Sequence, residues 1–132
     1  MEKARIPDDD PINVLSGQVV NASMEVHTQL GPGLLESAYE LCLERELATR
    51  GLKIERQVAV PVFYKGVQLD AGYRIDLLVE KKLVVEVKSV EDLMPIHEAQ
   101  LMTYLKLMDL RLGLLLNFNK RRMKDGIQRV IL

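Results

Sequence analysis

The order of apolar patterns in this chain of 132 residues predicts an α/β domain with a mixed β-sheet flanked by helices. Two segments with helical spacing come first, strand-like segments follow, and a third helix precedes two final strands, giving the order ααβββαββ. The composition, 48% hydrophobic and 28% charged, is that of a globular protein. We therefore expect one domain over residues 1–132, with residues 1–9 as a flexible polar arm.

The first two helices have clear start and stop signals. Asp10-Pro11 combines a helix-capping residue with proline at the first helical position. Apolar residues then recur at helical spacing to about Gln29, where Gly31-Pro32-Gly33 stops the helix. The second helix is predicted from Leu34 to Arg50, and Gly51 suits its C-terminal end. Cys42, within it, is expected to be buried.

The rest of the chain predicts strands around one further helix. The strand-like segments before that helix are residues 53–60, 62–64, 67–69, 72–79 and 83–89. Phe63 and Tyr64 are expected to pack against the protein. Pro95 opens the third helix, and residues 111–117 and 127–132 are the predicted final strands.

Three charged residues interrupt the apolar runs between Tyr73 and Val90, namely Asp76, Glu86 and Lys88. Charged side chains in a half-buried sheet are costly unless they are paired. Two carboxylates supply the hard oxygen ligands that Mg²⁺ or Mn²⁺ prefers, and a lysine alongside can act on a water nucleophile. These residue types therefore indicate a candidate metal site on the sheet.

The register of the two strands decides whether these residues meet. A three-residue turn, Glu80-Lys81-Lys82, gives one apolar face that extends to the pair Ile75 and Val87. On the opposite face it pairs Asp76 with Glu86, about 5 Å apart at their Cβ atoms. A two-residue turn would invert one strand and mix polar and apolar residues on both faces. Burial therefore favours the three-residue turn and two adjacent carboxylates.

A simpler interpretation is that Lys88 and Arg74 form surface ion pairs with the carboxylates on a solvated face. Leu78 and Val84 lie on that face and indicate that it is at least partly covered. Structural ion pairs use the same residue types as active sites. The spacing alone leaves both interpretations open.

Charge and cysteine content exclude several classes of protein. The formal net charge of -1 provides no general field for nucleic acid, so binding would need a local patch or a metal. The basic run Lys120-Arg121-Arg122, with Lys124, is the only such cluster. A single cysteine excludes an internal disulfide and a thiolate zinc cluster. The absence of a signal peptide and of a long apolar run leads us to expect a cytoplasmic protein without a membrane span.

Three motifs resemble a known superfamily. Asp76, nine intervening residues and Glu86-Val87-Lys88 resemble the signature of the PD-(D/E)XK nucleases. The segment from Gly33 through Glu36 to Tyr39 resembles the motif that names the GxxExxY protein family, a branch of that superfamily. Gln100 and Tyr104 resemble the Q-x-x-x-Y motif of exonuclease-like branches. The resemblance implies a restriction-endonuclease-like core, and Ile75 stands where the signature names proline.

The resemblance also implies roles for individual residues. The implied metal ligands, for Mg²⁺ or Mn²⁺, are Asp76, Glu86, the Val87 carbonyl and Glu36. Lys88 would orient or deprotonate the attacking water. Gln100 and Tyr104 would support the site or contact a phosphate.

The expected function is hydrolysis of nucleic-acid phosphodiester bonds, with products that carry 5′-phosphate and 3′-hydroxyl ends. We expect DNA as the partner ahead of RNA, and a homodimer or larger complex could complete a substrate groove. The alternative is a non-catalytic module of the same fold that binds nucleic acid or a protein partner.

Overall fold

The structure, a computed structural model, describes residues 5–132. Helix α1 spans Pro11–Leu30 and helix α2 spans Glu36–Thr49. The Asp10 carboxylate caps α1 by accepting a hydrogen bond from the backbone N–H of Ile12 at 3.0 Å. Both helices thus begin and end within two residues of the predicted bounds.

A five-stranded mixed sheet forms the centre of the molecule. Its strands, in spatial order, are β1 (Ile54–Ala59), β4 (Arg74–Val79), β5 (Leu83–Lys88), β6 (Leu112–Asn117) and β7 (Ile127–Ile131). Neighbouring strands run antiparallel except β5 and β6, which are parallel. Helix α3 (Pro95–Met108) makes the connection that a parallel pair requires. These strands and helices confirm the predicted mixed sheet flanked by helices, and a short 3-10 helix, Met123–Gly126, precedes β7.

Two further strands form a separate hairpin. Strands β2 (Val62–Tyr64) and β3 (Val67–Leu69) pair only with each other. The five strand-like segments predicted before α3 are therefore all strands, of which the order ααβββαββ counted three. The prediction that Phe63 and Tyr64 pack against the protein is wrong, because their exposed fractions are 55% and 62%. A two-stranded ribbon has no second layer on which to bury its side chains.

Each face of the main sheet buries its own core. The core beneath α1 and α2 includes Val19, Tyr39, Leu43, Val85 and Leu114. The core beneath α3 includes Val84, Leu101, Leu105 and Leu115. Each fully buried aliphatic side chain contributes about 1.5–3 kcal/mol to folding. The sheet is therefore a two-sided scaffold, and its carboxyl-bearing strands β4 and β5 lie in the middle.

Two local predictions differ from the structure. Cys42 is exposed, because α2 turns Tyr39, Leu43 and Leu47 towards the core and Cys42 away from it. Residues 1–4 of the predicted flexible arm lie outside the described residues, whereas Ile6 is buried in the core beneath α1. No helix in the part of the chain from residue 5 onwards combines the length and apolarity needed to cross a bilayer.

Close packing between α3 and the sheet depends on a glycine in β6. A Cβ atom at Gly113 would lie 2.7 Å from Cδ1 of Leu101, which is fully buried. We predict that Gly113→Ala destabilises the protein by about 1–3 kcal/mol through overpacking. Urea denaturation would measure the change. The control, Gly17→Ala, adds a methyl group in open space on the exposed side of α1 and should instead stabilise by about 0.5–1 kcal/mol.

Candidate functional site

The candidate site lies where strands β4 and β5 stop pairing. Their ladder contains Val79 opposite Leu83, Leu78 opposite Val84, and ends with Leu77 opposite Val85. These pairs confirm the three-residue turn at 80–82. The predicted continuation to Ile75 opposite Val87 is wrong, since Ile75 packs beneath α3 and Val87 beneath α1 and α2.

Side chains replace the missing ladder bonds at the break. The backbone N–H of Val87 donates to Oδ2 of Asp76 at 2.8 Å, and the N–H of Asp76 donates to Oε2 of Glu86 at 3.3 Å. A backbone bend lies beside the break, because Gln57 on β1 has φ 55°, a conformation that non-glycine residues rarely adopt. The two predicted carboxylates therefore meet, but across separated strands rather than as a regular cross-strand pair.

Glu86 is the most strongly perturbed acid of this group. Burial raises the pKa of its carboxyl to about 9, and the negative charge of Asp76 adds to the rise. The ammonium of Lys88, on the same strand, opposes the rise in the pKa of Glu86. Two carboxylates held together in a poorly solvated place disfavour their own charged forms. The repulsion between the two carboxylates therefore favours binding of a cation between them.

Helix α2 contributes a third acid that the sequence interpretation missed. Glu40 is buried and accepts hydrogen bonds from Nη1 of Arg56 at 3.0 Å and Nε2 of Gln57 at 2.8 Å. Burial raises the pKa of Glu40, Arg56 opposes the rise, and Asp76 adds to it. The signal was present, because Glu40 lies three residues before Leu43 and therefore on the buried side of α2.

Glu36, the predicted acid of α2, has a different position. It is exposed at the start of the helix, and its Oε2 accepts from the backbone N–H of Ser89 at 3.2 Å. The hydroxyl of Ser89 in turn donates to the carbonyl of Leu34 at 2.7 Å. Glu36 therefore holds the residue that follows Lys88, and the acid of α2 that lies against Asp76 is Glu40.

The motif that contains Glu36 builds a turn. Gly33 has φ 102°, which favours glycine because other residues rarely adopt it. The hydroxyl of Tyr39 donates to the carbonyl of Gly31 at 2.5 Å and accepts from the N–H of Leu34 at 3.1 Å. The Tyr39 ring stacks on Phe118 with centroids 4.6 Å apart. Tyr39 is thus a buried residue that fixes the turn, and the turn docks on the end of β5.

Asn117 supports the same end of β5 from the other side. It is fully buried, its Nδ2 donates to the carbonyl of Val90 at 2.9 Å, and its Oδ1 accepts from the N–H of Val90 at 3.1 Å. Lys88 pairs with Asn117 in the parallel β5–β6 register. The half-buried Lys88 is therefore held between Glu36 and Asn117, through contacts that the sequence interpretation did not identify.

Helix α3 brings Tyr104 and Gln100 to this region. Tyr104 is 5% exposed, and burial raises the pKa of its hydroxyl to about 12, with a further contribution from the charge of Glu86. Gln100 lies one turn earlier, is half-buried and lines the same cavity as Tyr104. Both predicted residues of α3 thus lie on the side of the sheet that carries Glu86.

The basic run near the end of the chain is partly neutralised. Lys120 forms an ion pair with Asp92 at 2.7 Å, and Arg122 forms one with Asp125 at 3.4 Å. Both pairs are exposed at one or both partners and stabilise the fold little. They reduce the charge that this cluster can offer to phosphates.

The donor chemistry suits a hard divalent cation. Mg²⁺ is commonly held by one or two carboxylates, with waters and substrate phosphates completing its shell. Asp76 and Glu86 supply two such carboxylates in a site that disfavours uncompensated negative charge. Over residues 5–132, no three side chains of His, Cys, Asp or Glu form a ready-made metal-binding group. A cation here would therefore depend on few protein ligands.

Comparison with protein families agrees with this geometry. The model described as the PD-(D/E)XK nuclease superfamily matches residues 13–130, almost the whole chain. The chain belongs to the PD-(D/E)XK nuclease superfamily. Searches of curated proteins and of solved structures gave no significant match. Membership of the superfamily implies a nuclease-like function and interaction with nucleic acid, and members generally use divalent metals.

The buried acid Glu86 of the candidate site predicts a specific pH dependence of stability. Because the pKa of Glu86 rises from 4.5 to about 9 on folding, the folded state holds a proton that the unfolded state releases. The resulting stabilisation is complete below about pH 4.5. It is lost as the pH rises towards and through about 9.

We predict that Glu86→Gln, which keeps a neutral side chain at all pH values, loses less stability over this range than the wild-type protein. Urea-denaturation midpoints of both proteins in EDTA, from pH 5 to pH 9, would measure the difference. Parallel pH profiles for the two proteins would contradict the raised pKa of Glu86.

Proposed function

We propose that this protein is a divalent-metal-dependent nuclease that hydrolyses phosphodiester bonds of nucleic acid. The observation that supports it most directly is the meeting of Asp76, Glu86 and Lys88 at a break in the central sheet. Membership of the PD-(D/E)XK nuclease superfamily supports the same reaction. Within the superfamily we propose that the chain is a member of the GxxExxY group, because Gly33 and Tyr39 of that motif build a defined turn.

The reaction would divide between the carboxylates and the lysine. Asp76 and Glu86 would hold Mg²⁺ or Mn²⁺, with the Val87 carbonyl as a further ligand. The bound ion would supply Lewis-acid polarisation of the scissile phosphate and offset its negative charge. Asp76 is already oriented by the N–H of Val87, so little reorganisation of this ligand is needed.

Lys88 would position the attacking water and stabilise charge that develops on the phosphate. The oxygen of the water would bond to phosphorus as the bond to the 3′-oxygen breaks, and the proton lost by the water would balance the one that the 3′-oxygen takes up as the 3′-hydroxyl. Lys88 is half-buried, and the backbone at and after it is held by pairing with Asn117 and by the bond from Ser89 to Glu36. These restraints suit this task because catalytic groups need a fixed place. DNA is the first substrate to test, ahead of RNA.

We predict that Lys88→Ala lowers the rate of cleavage by about 100-fold or more, the contribution expected of a positioned catalytic group. Asp76→Asn should abolish Mn²⁺-dependent cleavage because it removes a charged ligand. Cleavage of end-labelled single strands and duplexes, resolved on gels, would measure both effects.

The matched control is Lys81→Ala, which removes an exposed lysine from the turn between the same two strands. This variant should keep wild-type activity, and circular dichroism should show that all variants fold. Cleavage that survives Asp76→Asn would contradict the assignment. Binding without cleavage by the wild-type protein would instead support a non-catalytic module.

The roles of the two acids of α2, Glu40 and Glu36, can be distinguished by comparing one variant of each. Glu40 lies against Asp76, whereas Glu36 contacts the backbone of Ser89. We therefore predict that Glu40→Gln weakens Mn²⁺ binding by about 10- to 100-fold, as loss of a supporting acid does, with a smaller effect of Glu36→Gln. Isothermal titration calorimetry would compare the two variants. A larger loss of Mn²⁺ affinity in Glu36→Gln than in Glu40→Gln would instead assign Glu36 as the acid of α2 that supports the metal.

A further inference from the structure

A cavity of about 490 Å³ lies between the β2–β3 hairpin, the start of β4 and one face of α3. Its volume lies within the range of small-ligand sites in proteins. None of the residues that line it is charged; they include Val62, Tyr73, Ile96, Gln100, Thr103 and Tyr104. This cavity is therefore chemically distinct from the neighbouring carboxylate site.

The wall of the cavity on α3 is one helical face, which runs from the buried Tyr104 and the half-buried Gln100 to the exposed Thr103 and Ile96. Ile96, Gln100, Thr103 and Tyr104 recur at intervals of three and four residues, which places them on one face of the helix. Ile96 has an exposed fraction of 69%. Ile96 and the ring of Tyr73 are thus exposed apolar groups within the cavity lining, and contiguous exposed apolar surface often marks a binding site.

Aromatic rings are concentrated at this cavity. The rings of Tyr73 and Tyr104 have centroids 6.1 Å apart with an interplanar angle of 59°. Tyr73 has an exposed fraction of 47%, so one of the two rings is open to a ligand. Two of the six aromatic residues of the chain, Tyr73 and Tyr104, thus line the cavity.

The cavity also adjoins the proposed reaction site. Tyr104 packs in one core cluster with Ile75 and Val84, the residues that adjoin Asp76 and lie near Glu86 in the chain. A substrate strand with its phosphate at the carboxylates would therefore have its next base within reach of the cavity.

We infer that this cavity binds one base of an unpaired nucleotide next to the scissile phosphate, so that the enzyme prefers single-stranded or frayed nucleic acid. The inference rests on the proposed nuclease function. An uncharged aromatic wall suits a base and not a phosphate, since stacking on aromatic rings is the sequence-tolerant way in which proteins hold unpaired bases. The amide of Gln100 adds both a donor and an acceptor for a base edge.

A base within a duplex cannot enter such a cavity without leaving its stack. Unstacking and unpairing one base costs a few kcal/mol, and a single strand avoids most of that cost. The cavity therefore discriminates between unpaired and paired substrates without reading their sequence. A second copy of this chain, docked by its hairpin, is the competing occupant that the test must separate.

The test is binding of a single-stranded oligonucleotide that carries the fluorescent base 2-aminopurine, measured in EDTA and again with Ca²⁺ to avoid cleavage. Stacking on an aromatic ring quenches the fluorescence of this base. Titrations of the fluorescence change should show that the wild-type protein binds the single strand more tightly than the matching duplex. Tyr73→Ala should weaken binding about 5- to 100-fold, the effect of losing one stacked base. Tyr73→Phe keeps the ring and should bind within about twofold of the wild type, since stacking needs only the ring face.

The matched control is Tyr64→Ala, which removes an exposed tyrosine of the same hairpin that does not line the cavity. It should change binding by less than about twofold, because single-base stacking effects are local. Equal quenching by Tyr73→Ala and the wild-type protein would overturn the inference. So would absence of quenching in both buffers, or equal preference for duplex and single strand.

Sedimentation of the same proteins would distinguish a bound base from a second copy of the chain in the cavity. A wild-type dimer that Tyr73→Ala converts to a monomer, without nucleic-acid binding, would assign the cavity to a protein interface and overturn the inference. Cleavage assays with Mn²⁺ separate the two proposals. Cleavage that is unaffected by Tyr73→Ala overturns only the base site, whereas quenching without any cleavage overturns only the nuclease assignment.

Discussion

The break in the β4–β5 ladder beyond Leu77 and Val85 is the constraint on which the candidate site depends. A continuous ladder would satisfy backbone groups with each other and leave Asp76 and Glu86 as ordinary cross-strand neighbours. Here the carboxylates take over part of that hydrogen bonding, which orients them and also holds their charges together. Buried polar groups must be satisfied, and these two side chains accept hydrogen bonds from the backbone N–H groups of Val87 and Asp76 where the strands separate. The same carboxylate oxygens therefore complete the hydrogen bonding of the sheet and form the candidate site.

The strands and helices around the break confine the gap between β4 and β5 to this part of the sheet. Strand β4 stays paired with β1 on its other edge, and β5 stays paired with β6 through Lys88. Helix α2 places Glu40 against Asp76 on one side, and Asn117 holds the segment after Lys88 on the other. The opening is thus a local gap in a continuous sheet, which is a rigid way to present ligands and a lysine in a fixed arrangement.

Sequence pattern predicted most of the fold because apolar spacing, helix caps and turn residues report local structure. It predicted the turn at residues 80–82 and the meeting of Asp76 with Glu86 because one-residue shifts would have exposed apolar side chains. It missed the change of face at Ile75, since strict alternation assumes a regular strand and the bend at Gln57 breaks that regularity. It overlooked Glu40 although its spacing from Leu43 places it on the buried side of α2, because its partners Arg56, Gln57 and Asp76 lie on other elements. Three-dimensional partners such as Asn117 and Val90 are 27 residues apart in the chain and have no local signal.

The independence of the β2–β3 hairpin has a consequence for how this molecule can diversify. The hairpin is inserted between β1 and β4, yet its ladder is closed on itself and shares no strand pairing with the five-stranded sheet. Changing the length of the hairpin, or substituting its exposed side chains, would leave the carboxylates, the lysine and both cores in place. Evolution can therefore change the surface that this hairpin presents without changing the positions of Asp76, Glu86 and Lys88.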